Sequence, residues 1–138
     1  QDVVIPEDIH HEKWLKFMTN TCFNTLTALL EADYDATGSN RDMIRAARLI
    51  AKEVQSVRRR RGVELTSDDI ETMIRNTSML SGKGRSSMLE DMLSGRETEN
   101  RYFAGSVSRM GKLYSIATPY CDLLSILVEA KRYVTTCH

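Results

Sequence analysis

Proline and cysteine are scarce in this chain, and each shortage excludes a class of structure. Two prolines in 138 residues leave long segments in which a helix can run without interruption. The three cysteines, Cys22, Cys121 and Cys137, form an odd set without CxxC spacing. The sequence therefore predicts neither a disulfide framework nor a zinc site, and we expect a protein of a reducing compartment, the cytoplasm.

The chain also lacks an excess of charge of one sign, because 19 lysines and arginines balance 19 aspartates and glutamates. A general nucleic-acid or anionic-membrane binder needs surplus cations, so neither partner is predicted. The arginine run at 58–61 is interpreted as a solvated helix end. The longest apolar run, Leu123–Val128, is far too short to span a bilayer, and the first residues contain no apolar stretch of a signal peptide.

Common catalytic and metal-binding motifs are missing as well. His10 and His11 are adjacent, so their side chains diverge on a helix, and His138 is terminal. No metal site is predicted from them. The loop around Lys83 is no phosphate loop, because glycine follows the lysine and no strand precedes it. Its glycines and two cations, together with Ser87, leave open a weaker role in holding a small anion such as a carboxylate.

Alternating strand patterns are absent, and apolar residues recur at helical spacing instead. The pattern predicts one all-α domain over residues 1–138, with a polar turn at 31–38. The six predicted helices run from Asp8 to about Leu30, over Arg41–Arg61, from Thr66 to about Met79, over Met88–Leu93, over Glu99–Tyr114 and from Pro119 toward the C-terminus. Their predicted N-caps are Asp8, Ser39 or Asn40, Thr66 with Asp69, Ser86 or Ser87, and Thr98.

What the chain does contain is a polar stripe on an otherwise apolar helix. Lys16, Asn20 and Asn24 are spaced four residues apart and, with Thr27, fall on one side of the first predicted helix. Burying an ammonium and two amides without partners costs several kcal/mol. The stripe is therefore either the solvated face of an amphipathic helix or one wall of a cleft that binds a polar ligand.

Three sequence blocks occur in a fixed order and extend this interpretation. They are Trp14-x-Lys16-x-x-x-Asn20-x-x-x-Asn24-x-Leu26-Thr27-Ala28, Ser86-Ser87-Met88-Leu89-Glu90-Asp91 and Gly95-Arg96-Glu97-Thr98-Glu99. In this order and spacing the chain resembles the C-terminal domain of ketopantoate reductase, also called 2-dehydropantoate 2-reductase. The resemblance extends from about Trp14 to Lys131.

The resemblance implies a six-helix C-terminal domain of the 6-phosphogluconate-dehydrogenase-like type, within an NADPH-dependent reductase that converts ketopantoate to pantoate. Lys16 would be the catalytic general acid. Asn20, Asn24 and Ser87 would bind the substrate, and Glu99 would lie where the nicotinamide end of the cofactor meets the substrate. No metal is implied.

In that family a Rossmann domain precedes the helical one and binds most of the cofactor. No strand followed by a glycine-rich turn occurs in these 138 residues, so we expect a Rossmann domain outside this chain, on the same polypeptide or on another, and an inactive isolated domain. The absence of a methionine at position 1 indicates a chain cut from something longer. A homodimer is also implied. Ala104 and Gly84 stand where the family often has asparagine, which leaves open a different 2-oxo acid substrate. A helical dimerisation or interaction module without catalytic duty is the remaining alternative.

Overall fold

The computed structural model describes residues 7–62 and 64–136, with the side chains of residues 10–62 and 64–136. Over these residues it is helical and contains no strand, which confirms the all-α prediction. Its elements are α1 (Glu7–Thr19), a π-helical segment (Asn20–Asn24), α2 (Thr25–Leu30), α3 (Tyr34–Ser39), α4 (Arg41–Arg60), α5 (Ser67–Ser78), α6 (Ser87–Leu93), a 3-10 turn (Asn100–Tyr102), α7 (Ala104–Tyr114) and α8 (Pro119–Thr136). Cys137, His138 and the first six residues lie outside the described residues.

Three predicted caps are confirmed. The side chain of Asn40 accepts hydrogen bonds from the N–H groups of Asp42 and Met43, each at 3.0 Å, at the start of α4. Thr66 and Asp69 form a reciprocal capping box at the start of α5. Ser86 caps α6. These local signals could be identified in the sequence because each cap bonds to a backbone within three residues of it.

Three other predictions differ from the structure. The first predicted helix is continuous in space, but its middle is π-helical, and Asp8 lies inside α1 rather than before it. The predicted turn at 31–38 contains α3, capped by Asp33, whose carboxylate accepts from the N–H of Ala36 at 2.9 Å. The helix predicted to begin at Glu99 is a 3-10 turn followed by α7. The two are separated at Phe103, whose φ of −110° and ψ of −99° are not helical.

The core is built around α4, whose buried face packs against the π-helical segment, α5, α7 and α8. Ala47, Ala51 and Val54 are fully buried in its middle. The arginine run at the end of α4 is only partly solvated, because Arg58 is 95% buried and its guanidinium lies 4.1 Å from the ring centroid of Trp14. Burial, with the nearby charge of Arg61, lowers the pKa of Arg58.

Helix α8 is held at both ends by charged side chains, the buried Glu53 and the partly buried Lys131. At its start the Glu53 carboxylate accepts hydrogen bonds from the N–H groups of Tyr120 and Cys121, at 2.9 and 2.8 Å. Near its end the Lys131 ammonium donates to the carbonyls of Ala28 and Leu29, at 2.7 and 2.8 Å, and so caps α2. Because α2 continues from the π-helical segment, α8 braces the helix that carries the polar stripe.

Both cysteines within the described residues are buried free thiols. The Cys22 thiol donates to the Ala47 carbonyl at 3.5 Å, and burial raises its pKa. Burial is also the main cause of the raised pKa of Cys121. Within residues 7–62 and 64–136 no helix combines the length and the apolar character needed to cross a membrane.

Candidate functional site

The polar stripe lies on a locally widened helix. Lys16 is in the last turn of α1, and Asn20 and Asn24 are the first and last residues of the π-helical segment. Thr21, Cys22 and Phe23, between the two asparagines, are buried in the core. Single π turns within α-helices occur frequently at functional sites, and here the widened turn coincides with the two amides.

All five site residues predicted from the sequence line one cavity of about 440 Å³. Its lining residues are Lys16, Asn20, Asn24, Ser87, Met88, Asp91, Glu99 and Phe103. The π-helical wall faces α6 and the residues around the 3-10 turn. The volume is within the range of about 300–1,000 Å³ that is usual for small-molecule sites.

The two amides of the cavity are hydrogen-bonded to each other. Asn24 Nδ2 donates to Asn20 Oδ1 at 3.2 Å. The NH₂ group of Asn20, the amide oxygen of Asn24 and the second N–H of the Asn24 amide remain available to a ligand. The pair can offer one donor and one acceptor to a molecule that has both kinds of oxygen, such as a carbonyl and a hydroxyl.

Charged and hydroxyl groups complete the polar lining. Lys16, Ser87 and Glu99 are exposed, and in the part of the chain with described side chains Lys16 makes no ion pair or hydrogen bond. Its ammonium is thus available to a ligand. Ser87 is the first residue of α6, and Glu99 directly precedes the 3-10 turn.

The position of Ser87 depends on its neighbour Ser86, which is buried. Ser86 Oγ accepts from the N–H of Leu89 at 3.2 Å and lies 2.7 Å from Thr27 Oγ1. Thr27, the fourth member of the predicted stripe, is 2% exposed and does not line the cavity. It joins the helix of the asparagines to α6 instead.

The 81–85 loop, for which the sequence left open a role in holding a small anion, contacts α3 and does not line the cavity. Lys83 Nζ lies 3.8 Å from a carboxylate oxygen of Asp33 and 3.7 Å from one of Asp35. The N–H of Gly82 donates to the Asp35 carboxylate at 2.6 Å. The loop is thus folded against α3, and neither of its cations lines the cavity.

Three lining residues were missed in the sequence: Met88, Asp91 and Phe103. Met88 directly follows Ser87. Asp91 is four residues after Ser87, one helical turn away, so helical spacing along α6 could have identified Asp91. Phe103 gives no such signal, because it is an apolar residue inside the segment that the sequence predicts as one continuous helix, Glu99–Tyr114. Its ring packs edge-on against Phe17, with 6.2 Å between the ring centroids.

No group of three or more histidine, cysteine, aspartate or glutamate side chains that could hold a metal ion occurs where side chains are described. The chemistry of the cavity consists of an ammonium, two amides, a hydroxyl, two carboxylates and an apolar wall.

The family profile described as "Ketopantoate reductase PanE/ApbA C terminal" matches residues 8–132. The chain belongs to the ketopantoate reductase family. Within this family the chain is similar to a 2-dehydropantoate 2-reductase of Pyrobaculum aerophilum, 32% identical over 129 residues, which are 94% of this chain and 46% of the relative. A Streptococcus pyogenes relative of the same name is 30% identical and is covered over 42% of its length. The chain therefore spans less than half the length of these ketopantoate reductase relatives.

Solved structures agree with the family assignment. The ternary structure of D-mandelate dehydrogenase with NADH and anilino(oxo)acetate superposes with a TM-score of 0.87 at 28% identity, over 95% of this chain and 43% of that one. A dimeric ketopantoate reductase from Staphylococcus aureus has a TM-score of 0.83 at 20% identity, over 97% of this chain and 47% of that one, and shows the same fold.

Proposed function

We propose that this chain is the substrate-binding domain of an NADPH-dependent 2-oxo acid reductase, with 2-dehydropantoate as substrate and pantoate as product. The observation that carries the proposal is the meeting of Lys16, Asn20, Asn24, Ser87 and Glu99 around one cavity. These residues come from three separate sequence blocks. If their polar side chains only formed the solvated faces of their helices, nothing would bring them together around one cavity.

In this proposal the Lys16 ammonium donates a proton to the carbonyl oxygen of the substrate while the adjacent carbon is reduced. An ammonium suits this role because it stabilises the negative charge that develops on the oxygen before the proton is transferred. The Asn20 NH₂ group donates to an oxygen of the substrate, and the Asn24 amide oxygen accepts from a substrate hydroxyl. The Ser87 hydroxyl donates to the substrate carboxylate.

NADPH supplies the hydride when it is bound. Among the described residues no strand precedes a glycine-rich turn, the motif that holds a dinucleotide pyrophosphate. Glu99 is an exposed carboxylate beside the residues that we propose bind the substrate, so its place in this proposal is at the nicotinamide end of the cofactor. A Rossmann domain is therefore the partner that this proposal requires, and it would cover the open side of the cavity.

A reductase of a different 2-oxo acid is the second candidate. Met88 and Phe103 give the cavity an apolar wall that suits a bulky or aromatic substituent. D-mandelate dehydrogenase, 28% identical, was solved with an aromatic oxo acid, anilino(oxo)acetate. Phenylglyoxylate, the 2-oxo acid that corresponds to mandelate, is the probe for this alternative.

We also propose that the domain forms a homodimer through an exposed apolar stripe on α8. The stripe consists of Tyr120, Leu123, Ile126, Leu127, Ala130, Tyr133 and Val134. A half-exposed large side chain presents about 100 Å² of accessible surface, so the six large side chains of the stripe present roughly 600 Å². A standard protein–protein interface buries about 800 Å² on each partner. This is at the upper end of the roughly 300–600 Å² that the largest apolar patch of a typical monomer covers, and such patches are often functional.

Two features favour a second copy as the occupant of this stripe. Antiparallel pairing of two α8 helices about the midpoint of Ile126 and Leu127 would bring Tyr120 opposite Tyr133 and Leu123 opposite Ala130, so the stripe is self-complementary. Leu26 lines an apolar groove together with Tyr120 and Leu123 of α8. Because Leu26 is two residues from Asn24, the two side chains point to opposite sides of their shared helix, so the groove and the cavity lie on opposite sides. A Rossmann domain over the cavity would therefore leave the stripe open.

The test of the reductase proposal is NADPH oxidation by the polypeptide that joins this chain to its dinucleotide-binding domain. Lys16→Ala should lower kcat by about 10²–10⁴-fold with NADPH binding nearly intact. Lys13→Ala, an exposed lysine of the same helix that does not line the cavity, is the matched control. Unchanged turnover in Lys16→Ala would favour the non-catalytic interaction module, and preference for phenylglyoxylate would favour the second candidate.

A further inference from the structure

The charge balance of the cavity does not suit an anionic ligand unless one of its carboxylates is compensated. Lys16 is the one cation among the lining residues, whereas Asp91 and Glu99 are both carboxylates. A 2-oxo acid carries a carboxylate of its own. With both lining carboxylates unpaired, the ligand would enter a cavity of net negative charge, and repulsion in a partly desolvated space would weaken binding.

Arg96 contacts Asp91 but does not line the cavity. Its Nε atom donates to Asp91 Oδ1 at 3.1 Å, and its backbone N–H donates to the carbonyl of Asp91 at 2.9 Å. Gly95, with a φ of +74°, allows the chain to reverse so that Arg96 returns onto the last turn of α6. Glu99, three residues further along, has no such partner among the residues with described side chains.

Ser87 and Asp91 are one turn apart on α6, and both face the cavity. The Asp91 side chain is 29% exposed, so it is partly shielded from bulk water. An Asp91 carboxylate free to turn toward Ser87 would compete for the serine hydroxyl and would repel a ligand carboxylate bound there. Arg96, which does not line the cavity, donates to Asp91 Oδ1 and so restrains this carboxylate and offsets its charge.

We propose that Arg96 is a positioning residue of the site: through its ion pair with Asp91 it compensates the charge of that aspartate, so that the cavity accepts a carboxylate ligand. This inference rests on the proposed function, because it matters only for an anionic substrate. Arg96 does not touch the ligand, and its effect reaches the ligand through Asp91.

The experiment titrates the 138-residue chain with two probes and follows the shifts of its amide NMR signals. Pantoate carries the carboxylate, and pantolactone, its cyclic ester, is neutral. The variants are Arg96→Gln, Asp91→Asn and the double variant, with Arg101→Gln as the matched control because Arg101 is exposed and does not line the cavity. The amide spectrum of each variant also reports whether it is folded.

Arg96→Gln should weaken pantoate binding by about five- to tenfold. This is the effect expected when one uncompensated carboxylate, that of Asp91, repels the ligand carboxylate across a partly solvated cavity. It should leave pantolactone binding unchanged, because that probe has no charge. Adding Asp91→Asn to Arg96→Gln should restore pantoate binding, since the uncompensated charge is then removed. In the joined enzyme Arg96→Gln should raise KM and leave kcat within about twofold, because Arg96 does not line the cavity.

Several outcomes would overturn the inference. Equal weakening of both probes by Arg96→Gln, or no recovery in the double variant, would mean that Arg96 acts by holding the loop and not through charge. Unchanged pantoate affinity in Arg96→Gln would mean that the Asp91 charge does not reach the ligand. If the joined enzyme reduces neither 2-dehydropantoate nor phenylglyoxylate, the proposed function fails, and the inference fails with it.

Discussion

The hydroxyl groups of Thr27 and Ser86 lie 2.7 Å apart in the interior and join the two walls of the cavity. Thr27 also donates to the carbonyl of Asn24 at 3.0 Å, and Ser86 caps α6 just before Ser87. A chain of hydrogen bonds thus connects the backbone of a cavity-lining asparagine, Asn24, to the helix that carries the cavity-lining Ser87. The spacing of the two walls depends on this contact.

Thr27→Val should destabilise the chain by about 1–3 kcal/mol, because it leaves the buried Ser86 hydroxyl with one partner fewer while keeping the shape of the side chain. Urea denaturation measures the loss. Thr19→Val, which removes a hydroxyl bonded only to the Leu15 carbonyl of its own helix, should cost less than about 0.5 kcal/mol. Equal effects of the two variants would show that the contact between the walls contributes no special stability.

Asn20→Asp should abolish most pantoate binding without unfolding the chain. The aspartate still accepts from Asn24, but it replaces the donor that faces the ligand with a negative oxygen. We expect at least about a tenfold loss of affinity in the NMR titration. Asn76→Asp on the exposed face of α5 makes the same change of charge away from the cavity and should have little effect. Retained binding in Asn20→Asp would mean that the amide donor does not contact the ligand.

Acid should destabilise the chain partly through Asp69. Burial raises the pKa of this carboxyl, but hydrogen bonds from the Thr66 N–H and from His11 outweigh it, so the pKa is lowered. A carboxyl with a lowered native pKa contributes stability above its ordinary pKa and loses it as the pH falls through the native pKa. Asp69→Asn should therefore flatten the stability profile below about pH 5, between the ordinary pKa of the carboxyl and its lower native pKa.

The control for that profile is Asp68→Asn, because Asp68 is an exposed neighbour in the same helical turn. It should retain the acid dependence of the unaltered chain, which denaturant titrations at each pH would reveal. An unchanged slope in Asp69→Asn would mean that other carboxyls cause the acid sensitivity.

Ile126→Glu should dissociate the proposed dimer, because two-fold pairing would bring the new carboxylates close to each other in an apolar contact. Light scattering coupled to size-exclusion chromatography measures the mass. Ile126 is 66% exposed, so the fold of the single domain should survive. Leu113→Glu is the matched control, since Leu113 is 74% exposed and lies on α7. A monomer in the unaltered chain would overturn the dimer proposal.

Much of this molecule could be predicted from local sequence. The caps at Asn40 and Thr66 and the all-helical composition depend on contacts within a few residues, which spacing and residue type reveal. The five predicted site residues also follow from local patterns, the stripe from its helical spacing and Ser87 and Glu99 from the blocks that resemble the family. Their convergence on one cavity could not be derived from any single block.

The sequence by itself determined that the chain is helical, where most helices begin, and which groups can perform the proposed chemistry. Only the tertiary structure decided that Asn20 and Asn24 sit on a π-helical turn, that Thr27 is buried against Ser86, and that Arg96 bonds to Asp91. Local propensity is set by each residue and its near neighbours. These three features arise from packing between segments distant in the chain or from backbone turns that helical periodicity does not encode.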